Sequence, residues 1–213
     1  MRSLAIEKLK QNLSLSPIQR EVLVGLLLGD GCLETQNGRT YRLKIEQSKA
    51  HQAYVNHLYH LFDGWVLTPP RVRQVMSRGH ASENVTFQTV SHSALRFYAH
   101  QFYRDGRKQV PKLIHRWLTR RALSYWFMDD GSKSYRAIYL NTQQFDLESQ
   151  GRLLGLLATQ WSIRATLNRD KTYYRIRIAV ESVGRFEELA RPYVLPEMLY
   201  KFPGHDPVTT DPP

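Results

Sequence analysis

Two hydrophobic periods alternate along this chain, and the alternation runs through it twice. Residues 16–28 carry the signals of a helix. Ser16 is placed as an N-cap, Pro17 takes the first helical position, Glu21 lies in the early turns, and the apolar run 22–28 follows. Gly29-Asp30-Gly31 ends it. From Arg39 the period shortens to two: Tyr41, Leu43 and Ile45 alternate with Thr40, Arg42, Lys44 and Glu46. That pattern predicts a strand with one apolar and one largely basic face. Helical spacing returns over 49–62, where Tyr54, Val55, Leu58, Leu61 and Phe62 share a side. A Pro69-Pro70 break, a basic stretch with Arg71, Arg73 and Arg78, a short strand over 85–90 and a helix over 91–103 follow.

The second half repeats this order. An apolar helix over 119–129 runs into Asp130-Gly131, a strand covers 137–142, and a leucine-rich helix covers Leu147–Trp161. Residues 163–167 and 173–180 form a predicted hairpin around 168–172, and a last helix covers Val183–Ala190. Local matches support a duplication: Leu28-Gly29-Asp30-Gly31 against Met128-Asp129-Asp130-Gly131, Phe97 against Phe186, and Val110-Pro111-Lys112 against Leu195-Pro196-Glu197. The expected division is a first half over 1–115, a second over 116–203, and a Pro-rich polar tail over 204–213 expected to be disordered.

Composition narrows the function. The chain has 213 residues, 42% hydrophobic, enough to bury a core. Its formal charge of +11 points to an acidic partner, and the excess is uneven: 16 basic against 8 acidic residues over 1–115, net +8, and 14 against 11 thereafter, net +3. The single Cys32 supports neither an internal disulfide nor a thiolate metal site, so an intracellular setting is expected, an organelle or a bacterial cytoplasm. No apolar run reaches a membrane span and no signal-peptide core opens the chain. His51, His57 and His60 match no zinc-site spacing and read as surface or core residues. There is no phosphate-binding G-x-x-x-x-G-K-[ST] loop, so no ATP requirement is expected.

The candidate chemistry sits at the two apolar helix ends. A carboxylate there opposes the helix dipole at a cost of up to about 1 kcal/mol. A single Asp-Gly pair is a common helix-ending turn, but two at equivalent positions ask for a reason. If the two helices pack side by side, Asp30 and Asp130 become neighbours whose repulsion a divalent cation would relieve, and hard oxygen donors suit Mg²⁺.

The stretches Leu23-Val24-Gly25-Leu26-Leu27-Leu28-Gly29-Asp30-Gly31 and Leu123-Ser124-Tyr125-Trp126-Phe127-Met128-Asp129-Asp130-Gly131 resemble the two signature copies of single-chain LAGLIDADG homing endonucleases. Trp65-Val66-Leu67-Thr68-Pro69-Pro70, Leu140-Asn141-Thr142-Gln143 and Tyr200-Lys201-Phe202-Pro203 extend the similarity over residues 15–203. The resemblance implies an α+β fold with an αββαββα unit in each half, a pseudo-twofold axis, and two antiparallel sheets forming a saddle over DNA. It implies that Asp30 and Asp130 bind Mg²⁺, with Mn²⁺ substituting, that preceding main-chain carbonyls complete the metal shell, and that Asp129, aligned with Gly29, is secondary. It places Lys108 and Lys201 beside the reacting phosphates, with Gln47 and Gln143 as further candidates for organising water. Tyr125 stands where the first copy has Gly25, so the helix pair cannot pack symmetrically.

The basic strand faces supply candidates for reading base edges in the major groove: Gln36, Arg39, Arg42, Lys44, Thr86, Gln88, Arg164, Asn168, Arg175 and Arg177. Arg71, Arg73, Lys112, Lys133 and Lys171 are candidates for phosphate contact. The implied activity is that of a monomeric, metal-dependent endonuclease that cuts both strands of a long nonpalindromic site, leaves short 3′ overhangs and promotes intron mobility. An RNA-splicing maturase, with intron RNA as ligand, is the rival that the same fold leaves open. A transcriptional regulator would need an added helix-turn-helix, for which the repeats leave no room.

Overall fold

Capping and alternation settle where the elements begin and end. In a computed structural model that describes residues 2–77 and 80–205, an opening helix α1 (Arg2–Gln11), which the sequence did not announce, precedes α2 (Pro17–Leu28). Ser16 and Gln19 form a reciprocal capping box at the start of α2, Gln19 N donating to Ser16 Oγ at 3.1 Å and Ser16 N to Gln19 Oε1 at 2.9 Å. The first repeat continues with β1 (Cys32–Glu34), β2 (Arg42–Ser48), α3 (Gln52–Leu61), β3 (Arg71–Ser77), β4 (His80–Gln88) and α4 (Arg96–Phe102). A short hairpin of β5 (Tyr103–Arg104) and β6 (Arg107–Lys108) follows. The second repeat is α5 (Arg120–Asp130), β7 (Gly131–Ser134), β8 (Ala137–Leu140), α6 (Leu147–Trp161), β9 (Ala165–Asp170), β10 (Tyr173–Ile178) and α7 (Val183–Ala190).

The duplication reaches the topology. The first sheet is ordered β1-β2-β4-β3 and the second β7-β8-β10-β9, all neighbours antiparallel. This is the expected α+β class. In the first sheet Leu43, Ile45, Val85 and Phe87 turn inward, and α3 packs on β2 and β4. In the second, Ile138, Leu140, Ile176 and Ile178 turn inward, and α6 packs on β9 and β10.

Two compact units result, one from the residues up to Arg20 with Asp30–His100, the other from Glu21–Gly29 with the residues from Gln101 on. Glu21–Gly29 joins the second unit because most of α2 packs along α5. An added Cβ on Gly25 would lie 2.5 Å from the Ala122 carbonyl oxygen and 2.8 Å from Tyr125 Cβ, closer than any side chain allows. Residues 22–28 and 122–128 are buried on every side, as expected of helices at the middle of a core. Tyr125 therefore does meet Gly25, small against large.

Several sequence expectations shift. The basic stretch at 71–77 is strand β3, an edge strand with Val72 and Met76 exposed, so it lacks the alternation of a half-buried strand. Phe97 and Phe186, matched in sequence, part company: Phe97 is 53% exposed while Phe186 is 0% exposed. Arg78 and the tail from residue 206 lie outside the described residues. Among the described residues no helix is long and apolar enough to cross a membrane.

Candidate active site

The ends of α2 and α5 are built by backbone contacts first. Gly29 follows α2 and is buried, and an added Cβ there would come within 2.4 Å of Asp129 Cβ and 2.5 Å of Asp129 Oδ2. The glycine thus lets the chain leading to Asp30 lie against Asp129. Asp30 itself is exposed, and Asp130, the last residue of α5, is half-buried.

A lysine is brought to each of these helix ends. Lys108 Nζ, at the end of the β5–β6 hairpin, donates to the Gly29 carbonyl at 2.5 Å. Lys201 Nζ donates to the Asp129 carbonyl at 3.2 Å and also to the Met128 carbonyl. Each ammonium therefore grips the peptide directly before a signature aspartate. The lysines reach these places from different parts of the matched sequence, Lys108 before Val110-Pro111-Lys112 and Lys201 after Leu195-Pro196-Glu197. Lys201 is 7% exposed, whereas Lys108 is half-buried. The same contacts qualify the expected metal shell: the carbonyls of Gly29 and Asp129 already accept from ammonium groups.

The glutamines divide differently from the sequence expectation. Gln47 Nε2 donates to Asp30 Oδ2 at 2.8 Å. Gln143 instead donates to Asp170 at 3.1 Å, and its neighbour Gln144 takes the position at the second aspartate, donating to Asp130 Oδ2 at 3.3 Å and to the Leu28 carbonyl at 3.0 Å. The reason is strand length. Gln47 sits inside β2, where alternation fixes its direction, while β8 ends at Leu140 and leaves 141–145 as a loop without alternation. The tandem Gln143-Gln144 was the only signal in the sequence.

The acidic oxygens and nearby carbonyls are hard donors. Among the described residues no group of three or more His, Cys, Asp or Glu side chains could hold a metal ion. A cation here would draw donors from DNA phosphate and solvent as well, which is how Mg²⁺ is usually held. Burial pushes the Tyr125 phenol up to about 12, partly countered by the Arg121 cation, so it stays neutral in the helix contact.

The outward face of the first sheet carries Arg42, Lys44, Gln88, Arg71 and Arg73, and Gln36 and Arg39 lie exposed in the loop before β2. Acids share this face. Arg42 pairs with Glu34 at 2.8 Å, and Lys44 with Glu46 at 3.1 Å. Asn84, followed by Lys44, holds the Glu46 carboxyl below its ordinary value against the opposing effect of burial. Thr86 is withdrawn from this role: it is buried and its hydroxyl donates to the Ile45 carbonyl at 2.7 Å.

On the second sheet Arg175, Arg177 and Asn168 share the outward face, with the Arg175 guanidinium 4.2 Å from the centre of the Tyr139 ring. Arg164 lies before β9 and pairs with Glu181 at 3.0 Å. Lys133 is registered with Ile138, on the helix-side face, and donates to the His205 carbonyl, which removes it from the outward surface. Lys112 and Lys171 are exposed.

Comparison with known proteins agrees with this geometry. The sequence model of the LAGLIDADG DNA endonuclease family matches residues 20–186. A probable intron-encoded endonuclease 1 of Wickerhamomyces canadensis is 30% identical, covering 90% of this chain and 87% of its own length. The DNA endonuclease I-ChuI of Chlamydomonas applanata is 29% identical, over 89% of this chain and 96% of its own. The solved structure of the homing endonuclease I-WcaI bound to its DNA recognition sequence superposes with a TM-score of 0.86 at 28% identity, covering 92% of this chain and 91% of that one.

Proposed function

The chain belongs to the LAGLIDADG DNA endonuclease family, and from that premise we propose that Asp30 and Asp130 are the acidic residues at which it cuts DNA. It is a site-specific DNA endonuclease of the intron-homing kind. The observation that carries the site assignment is the doubled backbone grip, with Lys108 on the Gly29 carbonyl and Lys201 on the Asp129 carbonyl. An ammonium withdrawn in part or in full from solvent and donating to a carbonyl at equivalent points of two repeats has a positional task, because a solvated surface lysine would suffice for charge alone.

In this reading Asp30 and Asp130 each offer a carboxylate to a divalent cation, Mg²⁺ with Mn²⁺ as substitute. Such an ion, when bound, lowers the pKa of water and offsets charge on the reacting phosphate. The chain's own residues do the rest. Gln47 and Gln144 orient the two carboxylates through donated hydrogen bonds. Lys108 and Lys201 fix the peptides before the aspartates and add positive charge where the phosphate becomes more negative. Arg42, Lys44 and Gln88 on the first sheet and Arg175 and Arg177 on the second are the candidates for reading DNA, and Gln36, Arg39, Arg71, Arg73, Lys112, Arg164 and Lys171 are further candidates for contact with it. Both repeats come from one chain, so a monomer suffices for a nonpalindromic site. The enzyme acts in the compartment that holds its target DNA, an organelle or a bacterial cytoplasm.

The deciding experiment is selection of cleaved sites from a randomised DNA pool with Mg²⁺. Recovery of one long nonpalindromic site cut on both strands is the expected result. Tight binding of intron RNA with no DNA cutting would replace this reading with that of a maturase.

A further inference from the structure

The loop at 141–145 is short, yet three separate contacts pin it. Asn141 N donates to the Asp130 carbonyl at 3.0 Å, and Gln144 reaches Asp130 Oδ2 and the Leu28 carbonyl. The third contact comes from α6. Gln150, 2% exposed, donates its Nε2 to the Thr142 carbonyl at 3.1 Å and to the Phe145 carbonyl at 2.9 Å. These two carbonyls bracket Gln143 and Gln144. The amide orientation is fixed by chemistry, since a flip would set Oε1 against two carbonyl oxygens.

This arrangement is expensive for mere packing. Gln150 Oε1 and the buried Thr142 Oγ1 both lack a hydrogen-bond partner, and each such atom carries an uncompensated desolvation cost. A methionine of the same length would fill the space without that cost on Oε1. What the amide adds is the pair of donated bonds that set the loop's backbone on both sides of Gln144.

We propose that Gln150 is a positioning residue for DNA cleavage: through the Thr142 and Phe145 carbonyls it holds Gln144 against Asp130. The inference rests on the reading of Asp130 as a cleavage residue and adds a residue that touches neither DNA nor metal. In the first repeat Gln47 is carried by a strand, and among the described residues no such clamp accompanies it. The dependence on Gln150 is therefore one-sided, and this asymmetry supplies the test.

The test measures single-turnover nicking of each strand, with saturating Mg²⁺, for wild type, Gln150→Met, Gln150→Asn, Gln144→Ala and the Gln144→Ala/Gln150→Met double variant. DNA affinity and thermal unfolding are recorded in parallel. Gln150→Met is expected to slow one strand by about ten- to a hundredfold more than the other, so that nicked DNA accumulates, with affinity little changed. Gln150→Asn keeps the donor but shortens its reach by one methylene, and gives the same bias to a lesser degree. It also carries the test if the Met variant does not fold. The double variant should be no slower than Gln144→Ala alone. Equal slowing of both strands, or additive losses in the double variant, would overturn the clamp while leaving the endonuclease reading intact. Failure of wild type to cut either strand would overturn both.

Discussion

The two sheets share a strand order and differ in how they balance charge. On the first, Arg42 and Lys44 are engaged by Glu34 and Glu46. On the second, Arg175 rests on the Tyr139 ring, and among the described residues no acid pairs with it. The heavier +8 of residues 1–115 is thus partly offset at Arg42 and Lys44, while Arg71 and Arg73 on the same face stay exposed. The helix ends show the reverse pattern: their carbonyl-to-lysine contacts are alike although the sequence around the lysines is not. The lysine-to-carbonyl contacts common to both repeats lie at the helix ends, and the difference in charge balance lies on the sheets.

The largest effect should test the likeness of the helix ends. Asp30→Asn and Asp130→Asn should each reduce double-strand cutting by at least about 10³-fold, or about 4 kcal/mol of barrier, with DNA binding retained. Normal cutting by either variant, measured on linear DNA, would break the equivalence. Next, Gly25→Val forces a branched side chain into the Ala122 backbone and should destabilise the fold by about 3 kcal/mol. Gly155→Ala, in open space on α6, should stabilise it by about 0.5 to 1 kcal/mol. Chemical denaturation measures both, and similar outcomes would remove the helix contact as the reason for Gly25.

The lysines separate burial from position. Lys108→Met and Lys201→Met should each slow cutting by about ten- to a hundredfold. Lys201→Met should also lower the melting temperature more, because it strips the donor from buried carbonyls. Equal melting temperatures would contradict that difference.

The smallest effects belong to the sheet acids. Glu34→Gln or Glu46→Gln should tighten DNA binding modestly, since exposed ion pairs are worth about 0–1 kcal/mol. Affinity titrated against salt shows whether the log-log slope steepens, at about −0.9 per added phosphate contact. No change would mean that Arg42 and Lys44 reach phosphates without leaving their acids. Glu46 also makes a pH prediction. Its folded pKa lies below the ordinary 4.5, so its contribution to stability is present above that value and is lost as pH falls through the depressed folded pKa. Acid unfolding of Glu46→Gln should therefore lack that part of the wild-type pH dependence.

Much of this was legible in the residues. α6 and α7 fall where periodicity put them, α2 begins directly after its N-cap signal Ser16, and α5 begins within a residue of the helix expected from 119. Gln47 was named by the family resemblance and not by periodicity, and the alternation in burial along β2 stops short of it. β3 was missed because an edge strand has little to bury, and β7, with the polar sequence Gly131-Ser132-Lys133-Ser134, announces no face at all. The displacement from Gln143 to Gln144 arises in a loop, where no period constrains which side chain turns inward.

The sequence by itself determined the duplication, the aspartate at the end of each apolar helix, and the mismatch in size between Gly25 and Tyr125. These follow from local periodicity and from side-chain size, which act over a few residues. Only the tertiary structure decided that Lys108 and Lys201 grip matching peptides, that Gln144 is the glutamine at Asp130, and that acids temper the first sheet. Each of those depends on which distant groups fold within hydrogen-bonding reach, typically about 3 Å, and no local period carries that information.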